Sequence, residues 1–175
     1  MKNTLFALAM IVALPLYAQN KSIVAGDSKV EFTITNAGMD VEGSFSKVSG
    51  SVNLNPDNLA ASKISATVEV SSISTGIDMR DNHLKEEDYF EVSKYPTMKF
   101  ASTSFSKTSN GYKVTGNLTI KDVTKSVTIP FTVTNAGAST ILKGSFEIDR
   151  RDYHVGGNSW IMGDDVEINL EIAAR

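Results

Sequence analysis

The chain has 175 residues, with 17 Lys and Arg against 20 Asp and Glu, a formal net charge of −3 and no cysteine. That length suits one domain able to bury a core without staples. The missing cysteines exclude disulfides, Cys-zinc sites and thiol catalysis, and scattered charges without a basic cluster argue against nucleic acid as a partner.

Lys2, the apolar run from Leu5 to Leu16 and the small residue Ala18 read as a secretory signal peptide cleaved after Ala18. At about a dozen residues the run is shorter than the ~20 that span a bilayer. Residues 19–175 are expected to form one domain that functions in the periplasm.

From Lys29 the pattern has period two: Val30, Phe32 and Ile34 alternate with Glu31, Thr33 and Thr35, as in a half-buried strand. Met39 to Val48 is ambiguous, because Val41, Phe45 and Val48 also suit a short helical turn. Val52 and Leu54 make a second strand, stopped by Asn55-Pro56-Asp57-Asn58. Ile64, Ala66, Val68 and Val70 make a third. Met98 and Phe100 resume the alternation, with a phase shift before Phe105, and Asn110-Gly111 marks a hairpin. Three further rows follow, Val114 to Ile120, Val127 to Val133 and Leu142 to Ile148, and Val166 to Ile172 ends the series. These are eight strands with one apolar face each, as an antiparallel barrel or sandwich requires. Ala66, Gly116 and Gly144 on the apolar faces would leave room inside.

One long stretch, Ile73 to Phe100, breaks the rhythm. Ile77, Arg80, Asp81, Leu84 and Asp88 fall on neighbouring helical turns, so a short helix over the mouth or flank of the β structure is expected. Here lie Arg80-Asp81, His83, the acids Glu86, Glu87 and Asp88, and the aromatics Tyr89 and Phe90. Arg80 and Asp81 suit fixing each other or a loop; the functional alternative is that one of them meets the polar head of a ligand. The adjacent acids suit a solvated face. No Gly-x-Ser-x-Gly elbow or phosphate-binding glycine loop occurs, and the two histidines lack metal-ligand spacing. Neither a cofactor nor a metal is expected.

Three segments together resemble the YceI-like family: STGIDMRDNHLKEEDYFEVSKYPTMKF from Ser74 to Phe100, GNLTIKDVTKSVTIPF from Gly116 to Phe131, and FEIDRRDYHVGG from Phe146 to Gly157. Asp122 and Ser126 stand where that family usually has Gly and Pro, in what reads as a turn. His154 stands where a glycine is usual, beside a loop that would rim a pocket, where it would alter the preference for a ligand head group. The resemblance implies an all-β fold, an eight-stranded antiparallel lipocalin-like barrel with a short helix inserted between strands. It also implies a secreted, non-enzymatic protein that binds a polyisoprenoid or similar long-chain amphiphile in an apolar tunnel, for transport or sequestration.

Alternation alone makes Phe32, Ile34, Val68, Val70, Met98, Phe100, Leu118, Phe131, Phe146 and Ile168 core residues; the resemblance makes them candidates to line the tunnel. Met79, Asp81, Leu84 and Phe90 from the central stretch join them. Trp160, in the Gly-rich loop GGNSWIMGDD, is a further candidate of the site: it gates entry, touches a membrane surface or plugs one end. Arg150 and Asp152 read as an ion pair at a strand end. Pairing of two copies stays open. The competing expectation is an enzyme acting on a hydrophobic substrate through Asp81 and His83 or through Glu86 to Asp88; it requires a titratable group facing the cavity.

Overall fold

A computed structural model describes residues 20–175, and the leader expected at residues 1–18 lies outside the described residues. The strands are β1 (Lys21–Ser22), β2 (Lys29–Asn36), β3 (Met39–Phe45), β4 (Val48–Asn53), β5 (Lys63–Glu69), β6 (Ile73–Ser74), β7 (Thr97–Thr108), β8 (Gly111–Ile120), β9 (Val123–Ala136), β10 (Ser139–Asp149) and β11 (Met162–Ala174). One short helix among the described residues, α1 (Asp78–Leu84), sits between β6 and β7. The strands form a single antiparallel sheet in the order β1-β4-β5-β7-β8-β9-β10-β11-β2-β3-β6.

The all-β antiparallel expectation holds, but the described residues make eleven strands rather than eight. Two of the additional strands, β1 and β6, are too short to leave a period in the sequence. The third, β3, fills the ambiguous stretch. Its inward row is Val41, Gly43 and Phe45, and the missing side chain at Gly43 removes the middle apolar mark that would have revealed period two. The ring of Phe32, directly opposite in β2, occupies the place where a Gly43 side chain would stand.

The sheet curls until its edge strand β1 meets the end of β11. Ser22 pairs with Ser51 of β4, while its amide and carbonyl bond Arg175 just past β11 at 2.7 and 3.0 Å. The Val24 amide also donates to the Ala173 carbonyl at 2.9 Å. The expected phase shift in β7 is a break in register between Ser102 and Ser104, after which Phe105 returns to the inside opposite Val114. Asp122 lies in the tight β8–β9 connection as expected. Ser126 instead belongs to β9 and pairs with Asn117, because strand pairing begins at Val123, directly after the turn.

Gly116 does not leave the expected empty space. The Phe100 ring lies over it, and a β-carbon there would also stand 2.7 Å from the Ala101 carbonyl oxygen. Gly116→Val is therefore expected to destabilise the fold by about 1–3 kcal/mol through overpacking. Urea denaturation checks this, and an unchanged midpoint with unchanged slope contradicts it.

Candidate functional site: an apolar cavity inside the curled sheet

Buried apolar side chains gather in three clusters inside the sheet. One contains Val52, Val114, Ile129, Phe131, Leu142 and Ala174; another Val30, Phe45, Val48, Val70 and Ile73; the third Ile120, Tyr153 and Val155. A cavity of about 270 Å³ lies among them, and residues of all three contribute to its wall. One water needs only about 10–15 Å³, and pockets for small ligands begin near 300 Å³. The inside is therefore hollow far beyond the scale of a water and close to the lower bound of a small-ligand pocket.

Of the residues nominated from sequence, Phe32, Ile34, Val68, Leu84, Phe90, Met98, Phe100, Leu118, Phe131, Phe146 and Ile168 stand in the cavity wall. Four do not. Val70 is 1% exposed and packed into the second cluster, because its strand ends at Glu69 and the chain turns there. Met79 points to solvent from α1, with 83% of its surface exposed. Trp160 is fully exposed and plugs nothing. Asp81 is buried, but in a hydrogen-bonded loop rather than in the wall.

Other wall residues were not nominated. Val114, Ile129, Leu142 and Leu170 share the same inward register, so the alternation already marked them. Asn36, Thr75, Tyr89, Arg150, Tyr153 and Met162 come from strand ends and loops, where no period points inward, and Arg80 comes from the short helix α1.

The central stretch is fixed by a polar knot on Thr75. Its amide and hydroxyl donate to Asp81 Oδ1 at 2.7 and 2.6 Å. Arg80 Nε in turn donates to the Thr75 hydroxyl at 2.7 Å, and Arg80 Nη2 to the Thr75 carbonyl at 2.8 Å. Arg80 and Asp81 thus hold a loop, one of the two arrangements expected. The Thr75 hydroxyl, helped by the Thr75 amide and the nearby Lys85 and Arg80 charges, holds the Asp81 carboxyl below its ordinary value against the opposing effect of burial.

The second knot corrects an expectation. Arg150 does not pair with Asp152, which faces outward and binds Lys125 at 2.6 Å. The Arg150 guanidinium is buried and meets the carbonyls of Gly163, Val155, Gly157 and Met162 as well as Asp164 Oδ1 at 3.0 Å. A planar fork with five donors suits such a set, and it ties the loop before β11 to the strand end. His154 has φ +56°, a left-handed conformation that glycine adopts without strain and histidine tolerates. The glycine expected from the resemblance therefore answers a backbone need. The His154 side chain is exposed and outside the wall, so the expected influence on a ligand head group has no geometric basis.

His83 is exposed and meets Tyr89 edge to face, with ring centroids 4.9 Å apart. Glu86, Glu87 and Asp88 are exposed, the solvated face expected of them.

A curled antiparallel sheet around a largely apolar hollow defines a class of all-β proteins with an internal cavity. Residues 22–174 match the YceI-like domain, and the chain belongs to that family. A UPF0312 protein of Yersinia enterocolitica is 37% identical over 109 residues, 62% of this chain and 57% of that protein. A UPF0312 protein of Yersinia pestis is 36% identical over 126 residues, 66% of each. The match thus spans less than two thirds of the length of either relative. Among solved structures, BcnA of Burkholderia cenocepacia superposes with a TM-score of 0.83 at 30% identity, covering 87% of this chain and 99% of that one. The YCEI protein of Campylobacter jejuni gives 0.70 at 27%, covering 78% and 86%. A polyisoprenoid binding domain from Saccharophagus degradans gives 0.72 at 15%, covering 89% and 97%, and so shares the fold.

The depressed Asp81 pKa fixes a pH dependence. Its contribution to stability is complete above the ordinary carboxylate value of about 3.9 and is lost as pH falls through the lower folded-state value. Asp81→Asn keeps the shape but weakens the charge-assisted bonds, so it is expected to cost about 1–2 kcal/mol at neutral pH. Denaturation curves of both proteins should converge in acid; a gap that persists or widens there contradicts the assignment.

Proposed function

We propose that the protein is a non-enzymatic binder of a polyisoprenoid or similar long-chain amphiphile, which it carries or sequesters in the periplasm. The observation that carries this reading is the apolar cavity of about 270 Å³ reached by every cluster of the core. Enclosing a hydrocarbon tail there removes apolar surface from water on both sides, worth roughly 25 cal/mol per Å², so few polar contacts are needed. The name of the Saccharophagus neighbour, a polyisoprenoid binding domain, supports the same choice of ligand. The competing catalytic reading is disfavoured by placement: Asp81 is engaged by Thr75, and His83 and the three acids face outward.

The surface supports a contact with membranes. Met39, Ile77, Met79, Trp160 and Ile161 are large apolar side chains between 52% and 103% exposed. Each lies within a few residues of a wall residue, namely Asn36, Arg80 or Met162. Two of their segments touch, since the Ala37 amide donates to the Ile161 carbonyl at 2.6 Å. Exposed apolar groups of this kind mark interaction sites, and tryptophan favours the headgroup level of a bilayer.

Organic extracts of the purified protein, analysed by mass spectrometry, should contain a long-chain lipid that Ala66→Phe, which adds an inward ring to the wall, fails to retain while keeping its β-sheet circular dichroism. Extracts repeatedly free of lipid, or retention unaffected by the added ring, contradict the proposal. Trp160 is the single tryptophan, so its emission should shift to the blue when phospholipid vesicles are added. No shift at saturating lipid removes the membrane contact from the reading.

A further inference from the structure

Four charged residues contribute to the cavity wall: Glu31, Arg80, Lys99 and Arg150. Glu31 and Lys99 are exposed, each lying between two inward neighbours of its strand. Arg150 is spent. Its five N–H groups meet four carbonyl oxygens and the Asp164 carboxylate. It has no donor left for a ligand.

Arg80 is different. Nε and one N–H of Nη2 are held by Thr75. Among the described residues, the two N–H groups of Nη1 and the second of Nη2 have no partner, and no carboxylate oxygen lies within ion-pair distance. The side chain is half-buried, so its charge is partly desolvated, and the nearby Asp81 carboxylate stands beyond ion-pair distance with its Oδ1 on Thr75. The Thr75 bonds fix the plane of the guanidinium, and Asp81 fixes Thr75 in turn. The free donors are thereby held in place before anything binds, which reduces the ordering that binding must pay for. The wall contains one further unmet polar group: Asn36 Oδ1 is buried without a partner. Turned about its terminal bond, the same amide presents two donors.

We infer that the ligand's polar end is an oxyanion, a carboxylate or a phosphate, received by the free Nη1–Nη2 edge of Arg80. This rests on the enclosure of an apolar tail proposed above and adds the chemistry of the other end. A guanidinium edge offers two parallel donors that match such a group, and the ion pair would stand in a setting of reduced solvent screening. Asp81 and Thr75 are positioning residues for Arg80.

The test uses delipidated full-domain protein and three probes with the same tail: geranylgeraniol, geranylgeranoic acid and geranylgeranyl monophosphate. Titration calorimetry at neutral pH should show one or both anions binding at least tenfold more tightly than the alcohol. Preference for the acid alone assigns a carboxylate lipid, and preference for the phosphate alone a phosphorylated one. In Arg80→Gln the two anions should bind no more tightly than the alcohol binds to that same variant, and Arg80→Lys should retain part of the preference. Equal affinity of wild-type protein for all three probes overturns the inference, as does a preference that survives Arg80→Gln. The wild-type comparison stands even if Arg80→Gln does not fold. Failure to bind any of the three overturns the enclosure reading itself, whereas tight binding of the alcohol alone overturns only the oxyanion.

Discussion

The whole structure depends on a parity rule. In a strand every second side chain faces inward, so once the sheet curls each strand must commit one complete row to the inside, and a slip of one residue would turn that row to water. The rows are largely apolar from β2 to β11, and the break in parity in β7 restores Phe105 to the interior. Two large rings, those of Phe32 and Phe100, lie over the glycines Gly43 and Gly116. Their bulk is taken up along the wall, and the middle stays hollow.

Backbone that does not belong to the sheet needs other anchors, and the chain uses two arginines in two ways. Arg150 gathers four carbonyls and a carboxylate and is consumed by doing so. Arg80 spends two of its donors on Thr75, and Asp81 spends its carboxylate on the same residue. Both knots border the cavity, so what stabilises the loops also decides how much positive charge the hollow presents. The apolar residues left outside the sheet, Trp160 and Met79 above all, lie on these same loops.

Much of this was legible beforehand because parity is written directly into the residues. Eight of the nine longer strands, the shifted phase before Phe105, the hairpin at Asn110-Gly111 and the inward rows all followed from alternation and turn chemistry. What escaped notice had physical reasons. The β3 strand was masked by Gly43, whose place is taken by a ring from the neighbouring strand. The partner of Arg150 was misread because sequence proximity favoured Asp152, while the loop brings Asp164 and four carbonyls closer. Val70 looked like one more inward strand residue, but the strand ends one residue earlier. Thr75 gave no signal at all, since a threonine that organises a loop has the composition of any other.

The meeting of Ser22 with Arg175 has a consequence for how the protein is made. The seam joins the two ends of the described chain, reinforced by Arg175 on Asp27 at 2.6 Å and on Ser139 at 2.7 Å. Contacts so remote along the sequence form late and slowly in folding, and this one cannot form until Arg175 has been made, long after Ser22. Until then the wrap has an unsealed margin, and an oily guest meets an open trough instead of a closed vessel.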